Sequence, residues 1–378
     1  MLPKSRLVAA AAAAGTVCAL VAAGTAMAAP TPPWSKHNPA VPNAFTNTTP
    51  ALSAIDVNGL QGTFVAWKGQ VNNQVKYKIK INGKWHATAI IKGAATNTSP
   101  TAALFATNKG REAVFVAWKS IGGGGLSRIK YSDGVVSNNG SINWTKPVTL
   151  PGLPHTNTSQ TSASPAVLFP VNSKKAQVLV AFRGPANHVR IEIGTESGPN
   201  GRRFTWGNST RKSSWISPGT TAEPTTTNAQ PALTEIIGAD GNGTIYVFWK
   251  GLPVTSPVSY ATTPDLASTG LDGTVVLTWS LQGQVPDSNG IKGLAQSTGS
   301  PAVASATAHG QGPLLLAYKG PSGFNIRFQT FNGLVWSQPH QFVNGNNNTT
   351  ALGPALVHGT LANVSRTDGR IFLHHYLG

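Results

Sequence analysis

The chain has 378 residues, 41 of them glycine and 27 proline, and carries 29 Lys and Arg against 12 Asp and Glu, a net charge of +17. Its single cysteine, Cys18, lies in an apolar stretch near the start, so the rest of the chain has no disulfide, thiol nucleophile or thiolate metal site. A positive excess of this size gathers polyanions around a molecule and carries no information about its fold.

Residues 1–28 read as a signal peptide: Lys4 and Arg6 begin it, an Ala-rich apolar run from Leu7 to Thr25 follows, and Ala26-Met27-Ala28 supplies the cleavage site. Secretion is therefore expected, with a mature chain from about Ala29 that keeps 27 basic and 12 acidic residues. No later stretch approaches the ~20 apolar residues of a membrane helix. Residues 29–378 are expected to form one domain, long enough to bury a large core without disulfides.

Next comes Trp34-Ser35-Lys36-His37-Asn38-Pro39, which resembles the fourth strand of a unit whose first strands are missing. From residue 46 a pattern begins that recurs to the end. Its marker prolines are Pro50, Pro100, Pro165, Pro231, Pro301 and Pro354, 50 to 70 residues apart. Each marker opens a Pro-Ala-type strand, as in T-N-T-T-P-A-L at 46–52 and T-T-N-A-Q-P-A-L at 226–233. A second, apolar strand then ends aromatic–cation–Gly or close to it: F-V-A-W-K-G (64–69), F-V-A-W-K-S (115–120), L-V-A-F-R-G (179–184), Y-V-F-W-K-G (246–251) and L-L-A-Y-K-G (315–320). L-H-H-Y-L-G at 373–378 reads as a sixth, worn copy.

A third strand alternates apolar residues with cations, as in Lys76-Tyr77-Lys78-Ile79-Lys80-Ile81 and Arg128-Ile129-Lys130-Tyr131, which puts the cations on one side. Asn82-Gly83, Asp133-Gly134, Asn200-Gly201, Asp272-Gly273 and Asn332-Gly333 are the turn candidates that follow, because these pairs accept positive φ. A fourth strand opens on Trp85, Trp144, Trp215 or Trp206, Trp279 and Trp336.

Four short antiparallel strands repeated about six times predict an all-β fold, a six-bladed β-propeller. Residues 34–42 are expected to join the blade holding 371–376 and close the ring. That blade then has three strands or four. A solenoid would need polar caps at two open ends, and neither end of the pattern reads as one.

The candidate binding residues are the aromatic–cation pairs Trp67 and Lys68, Trp118 and Lys119, Phe182 and Arg183, Trp249 and Lys250, and Tyr318 and Lys319. Ring symmetry places them at one level, where cations would meet anions or hydroxyls and the rings would stack on sugars. A structural reading accounts for the same residues: the aromatic packs between blades while the cation's stem covers apolar surface. The fourth-strand tryptophans read as wedges between blades, and the third-strand cations as a solvated outer face.

Signals for catalysis are few. Glu112, Glu192, Glu196, Glu223 and Glu235 lie on different elements, and glycoside hydrolysis needs a carboxylate pair across one bond. The nine histidines show no metal-ligand spacing, and His374-His375 are adjacent in a strand and so face opposite ways. No phosphate-cradling loop, nucleophile elbow, calcium loop or specific nucleic-acid motif occurs. No cofactor or metal is expected.

The repeat T-x-x-x-P-A-L, A-W-K-G, I-x-Y, then D/N-G-x-x-W-S-x-P over residues 30–378 resembles that of secreted bacterial and fungal propellers, similar to sialidase-like folds and six-bladed fucose-binding lectins. For sialidases, Phe182-Arg183-Gly184-Pro185 is the nearest match to their F/Y-R-I-P motif, and 197–204 departs from the S-x-D-x-G-x-x-W box by carrying Pro199 in place of its Asp. The lectins set Arg, Glu and an aromatic in each inter-blade pocket, and this repeat keeps the aromatic and cation without a recurring Glu. The resemblance implies a lectin-like module for glycans or other extracellular polyanions, and a monomer is expected. Two alternatives stay open, a sialidase-like hydrolase and a structural propeller of the cell envelope that docks proteins.

Overall fold

The computed structural model describes residues 34–376, except 36–39, 58, 122–126, 152–159, 162, 172–176, 185–186, 198–202, 207–213, 216–225, 253, 265–278, 289–292, 308–309, 322–324 and 343–351. The leader at 1–28 and the turn candidates Asn200-Gly201 and Asp272-Gly273 lie outside the described residues. The chain divides into Met1–Pro30 and Thr31–Gly378, and the second unit is the propeller.

Six antiparallel sheets form the ring. Their inner strands are Ala51–Val57, Thr101–Ala106, Ala166–Leu168, Ala232–Ile237, Ala302–Ser305 and Ala355–Val357, one after each marker proline. Each packs beside the next, and the sixth beside the first, so the ring is closed. The second strands of the first five blades are Leu60–Lys68, Glu112–Lys119, Gln177–Arg183, Gly243–Lys250 and Leu314–Lys319. They lie between two neighbouring blades, which is why they are apolar on both faces: Phe64, Val65, Ala66 and Trp67 are all buried.

The sixth blade corrects one expectation. Its second strand is Thr360–Val364, and the worn motif near 373 belongs to its third strand, Arg370–His375. The register Ala355↔Ala362 matches Ala51↔Ala66 and puts Asn363 and Val364 where other blades carry an aromatic and a cation. Without that motif the strand escapes a sequence search. Ala40–Phe45 supplies the fourth strand against Arg370–His375, and Trp34 bridges Tyr376. The blade therefore has four strands, and the expected closure is present.

Every seam between blades is an apolar cluster that takes in one tryptophan from a blade's outer edge: Trp85, Trp144, Trp206, Trp279, Trp336 and Trp34. The wedge reading holds. Asn82-Gly83 makes the expected turn, with φ of 48° and 75°. Asp133-Gly134 does not. It lies inside Ser127–Val136, with Asp133 buried and accepting from Thr145 Oγ1 at 2.9 Å. The missing Cβ of Gly134 makes room for the Trp144 indole, which would otherwise lie 2.7 Å away.

Candidate functional site at the axial face

The site is built from two short segments repeated around the ring. Before the inner strands of the first five blades, a Thr or Ser hydroxyl accepts the backbone N–H two residues on: Thr46, Thr96, Thr161, Thr227 and Ser297 do so at 3.1–3.2 Å. This local turn, favoured by short hydroxyl side chains, aims the chain into the strand and presents Asn47, Asn97 and Asn228 beside it. The antiparallel register brings the end of the second strand to the same end of the blade. There Lys68 Nζ donates to Asn47 Oδ1 at 2.7 Å, and Lys250 Nζ to Asn228 Oδ1 at 2.8 Å. Arg183 Nε donates to Asn187 Oδ1 at 2.8 Å.

The axial cavity opens at this end. It holds about 100 Å³ and takes lining from all six blades, including Pro50, Pro100, Pro231, Pro301 and Pro354, with Gln230 as its longest polar group. Gln230 Nε2 donates to the Pro165 carbonyl at 2.7 Å, tying the fourth blade to the third at the mouth.

The ten predicted site residues separate by chemistry. The rings of Trp67, Trp118, Phe182, Trp249 and Tyr318 are all at most 1% exposed, each packed in a seam. A ring without an exposed face offers no stacking platform, so that part of the expectation is corrected: their apolar bulk is used between blades. The cations share one end of their blades. Lys68, Lys119 and Lys250 are largely buried, while Arg183 and Lys319 are half-buried. Burial holds Lys68, Lys119, Lys250 and Arg183 below their ordinary pKa values. Their hydrogen-bond partners at Asn47, Asn228 and Asn187 are neutral amides, which orient the positive charge and leave it in place.

The glycine after the cation has a packing role that the repeat alone does not reveal. A Cβ on Gly184 would lie 2.5 Å from the Arg190 stem, one on Gly69 3.1 Å from Lys76, and one on Gly320 3.2 Å from Arg327. It clears a path for a second cation on the third strand. Two of the third-strand cations, Lys78 and Arg190, are buried at 5% and 3% exposure, which corrects the expected solvated face.

At the opposite end of the blades, Glu112 accepts the Asp56 N–H, Glu196 the Asn108 N–H at 3.0 Å, and Glu235 the Val171 N–H at 2.6 Å. Each carboxylate thereby fastens its blade to the hairpin of the preceding one. Burial pushes Glu112 up to about 7 despite the hydrogen bond.

Fold and site define a six-bladed β-propeller with a cation-ringed axial face. No family model matches the sequence, and no curated protein does. Among solved structures, the chain is similar to AofleA from Arthrobotrys oligospora, with a TM-score of 0.55 and 13% identity over 91% of this chain and 87% of that one. A triple arginine-to-alanine mutant of the same protein gives 0.52 and 11% over the same shares. The Hadza microbial sialidase Hz136 gives 0.50 and 14% over 87% of this chain, which spans 65% of the sialidase's length. At such identities the likeness is one of fold.

Proposed function

We propose that this protein is a secreted, non-catalytic, lectin-like propeller that binds anionic glycans. The observation that carries the reading is the gathering of Lys68, Lys119, Arg183, Lys250 and Lys319 at one end of their blades, with amide partners at three of them. An anion approaching that face meets a field that amides leave intact, and repetition lets modest contacts add up on a repetitive target. The fastening roles of Glu112, Glu196 and Glu235 support binding over hydrolysis, since each carboxylate is engaged by backbone away from the axial mouth. Discrimination by sugar stacking is not part of this reading, because the rings are buried.

The test is a glycan array with the mature protein. Acidic glycans should be retained, retention should fall with added salt, and changing Lys68, Lys250 and Lys319 to Ala should weaken it. Turnover of aryl glycosides abolished by a single Asp or Glu change would move the protein to the hydrolase class. One observation favours a second reading, docking of a protein partner: the loops after the cations expose Val71, Ile121, Leu252 and Val254 on the same face. Salt-insensitive capture of a protein with an empty array would support it.

A further inference from the structure

The third strand of each blade presents a column of side chains to the preceding blade, opposite the second-strand aromatic. The pairs are Trp67↔Lys76, Trp118↔Lys130, Phe182↔Arg190, Trp249↔Ser259, Tyr318↔Arg327 and Asn363↔Phe372. Directly paired residues share a face, so the columns can be compared seam by seam.

In the third blade Arg190 has Glu192 two residues along the same face, and each charge moves the other's pKa. In the fifth blade Arg327 meets Asp287 of the fourth at 3.4 Å. The fourth and sixth columns carry Ser259 with Ala261, and Phe372 with His374. The remaining two differ. The first blade presents Lys76, Lys78 and Lys80, the second Arg128 and Lys130, and no described carboxylate pairs with any of them. Arg128 is exposed, and Lys76, Lys80 and Lys130 are half-buried. Across the first of these seams stands His375 of the sixth blade, whose pKa is lowered by burial and then by the charge of Lys80.

The whole chain follows the same asymmetry. Residues 46–225 carry twenty Lys and Arg against six Asp and Glu, whereas 226–378 carry six of each. Positive charge in this ring belongs to one half, and its least neutralised columns flank the first blade.

We propose that the two seams flanking the first blade hold a linear acidic polysaccharide, bound through its evenly repeated carboxylate or sulfate groups. The inference rests on the glycan-binding reading above and adds a second line of contact to the axial cations. Alternate strand residues stand about 7 Å apart, so Lys76, Lys78 and Lys80 form a line along one seam, with Arg128 and Lys130 along the next. A line of cations suits a chain of anions better than a single acidic sugar. Nucleic acid fits less well, since bases need aromatic faces to stack on. The aromatics near these seams are packed: Trp67 and Trp118 are buried and Trp85 lies under Lys80, whose Nζ is 5.9 Å from the ring centroid.

Heparin and polygalacturonate fragments serve as sulfate and carboxylate probes, with single-stranded DNA of equal charge as a third, in biolayer interferometry at two salt concentrations. The variant Lys80→Gln, Arg128→Gln, Lys130→Gln should lose affinity for the acidic polysaccharides about tenfold. The charge-matched variant Lys109→Gln, Arg111→Gln, Arg203→Gln should lose roughly threefold or less, the share expected of net charge alone. Arg128→Gln by itself, at an exposed position, gives the same ordering if the triple variant folds poorly. Equal losses in both triple variants overturn the seam site and leave glycan binding standing. Tighter seam-dependent binding of DNA overturns the polysaccharide assignment. Absence of binding to every acidic glycan removes the glycan reading and the seam site together.

Discussion

Asn363 stands in the sixth blade where five other blades place an aromatic ring, and His374 answers it. His374 Nε2 donates to Asn363 Oδ1 at 2.7 Å, and the Phe342 ring meets the imidazole edge-on at 4.7 Å. Burial, reinforced by the charge of His375, lowers the pKa of His374 from 6.5 to about 4. The folded value lies below the unfolded one, so the unfolded chain binds more protons between them. The contribution to stability is complete above pH 6.5 and declines as pH falls toward 4. Glu112 and Glu192, raised from 4.5 to about 7 by burial, act in the opposite sense and weaken the fold as pH rises through that window. The two effects mask each other in a single curve, and a comparison of variants separates them. Between pH 7 and 4.5 the wild type should lose roughly 2 kcal/mol more stability than His374→Gln in urea unfolding. Parallel pH curves for the two proteins would rule His374 out as the source.

At the scale of elements, the outer strands depend on glycines that the sequence presents in disguise. Gly134 faces Trp144 across the ladder and Gly194 faces Trp206, so each indole lies flat on a strand with no side chain beneath it. A Cβ at Gly134 would fall 2.3 Å from Ile142 Cγ2 and 2.7 Å from the Trp144 ring, and neither group is free to withdraw from the seam. Gly134→Ala should therefore cost about 2 kcal/mol, the usual scale of overpacking, read as a lowered midpoint at unchanged slope in urea. Wild-type stability would show that the outer strand shifts freely. The sequence placed this glycine in a turn because Asp-Gly is a strong hairpin signal. What it could not show is that Thr145 satisfies Asp133 from the neighbouring strand. By contrast, Asn82-Gly83 makes the turn its sequence predicts, because its own backbone decides it. The aromatic–cation pairs fall between these cases. Their position came from the repeat, but the burial of their rings depends on the next blade, which no local pattern specifies.

On the scale of the whole molecule, periodicity located five blades and the closing segment, and it misplaced the second strand of the sixth. The reason is the chemistry of Asn363 and Val364, which break the motif while keeping the register. Closure then depends on contacts between residues more than 300 positions apart. Ala40 and Phe45 pair with Phe372 and Arg370, and His375 N–H donates to Ser35 Oγ at 2.9 Å. Val41 and Ala44 enter the seam with the first blade, while Trp34 packs against Phe328, Phe342 and Tyr376 in the seam with the fifth. One segment thus serves two seams, and its removal opens the ring on both sides. Loss of this apolar burial and of the strand ladder amounts to roughly 5 kcal/mol. Deleting residues 34–45 should lower the melting temperature by roughly 7 °C, given the size of the domain. The bared edge of Arg370–His375 would also offer its unpaired backbone to another chain. Concentration-dependent dimers should therefore appear in sedimentation of the shortened protein and vanish when residues 34–45 are supplied as a peptide. An unchanged melting temperature would mean that the six inner strands hold the ring without a latch.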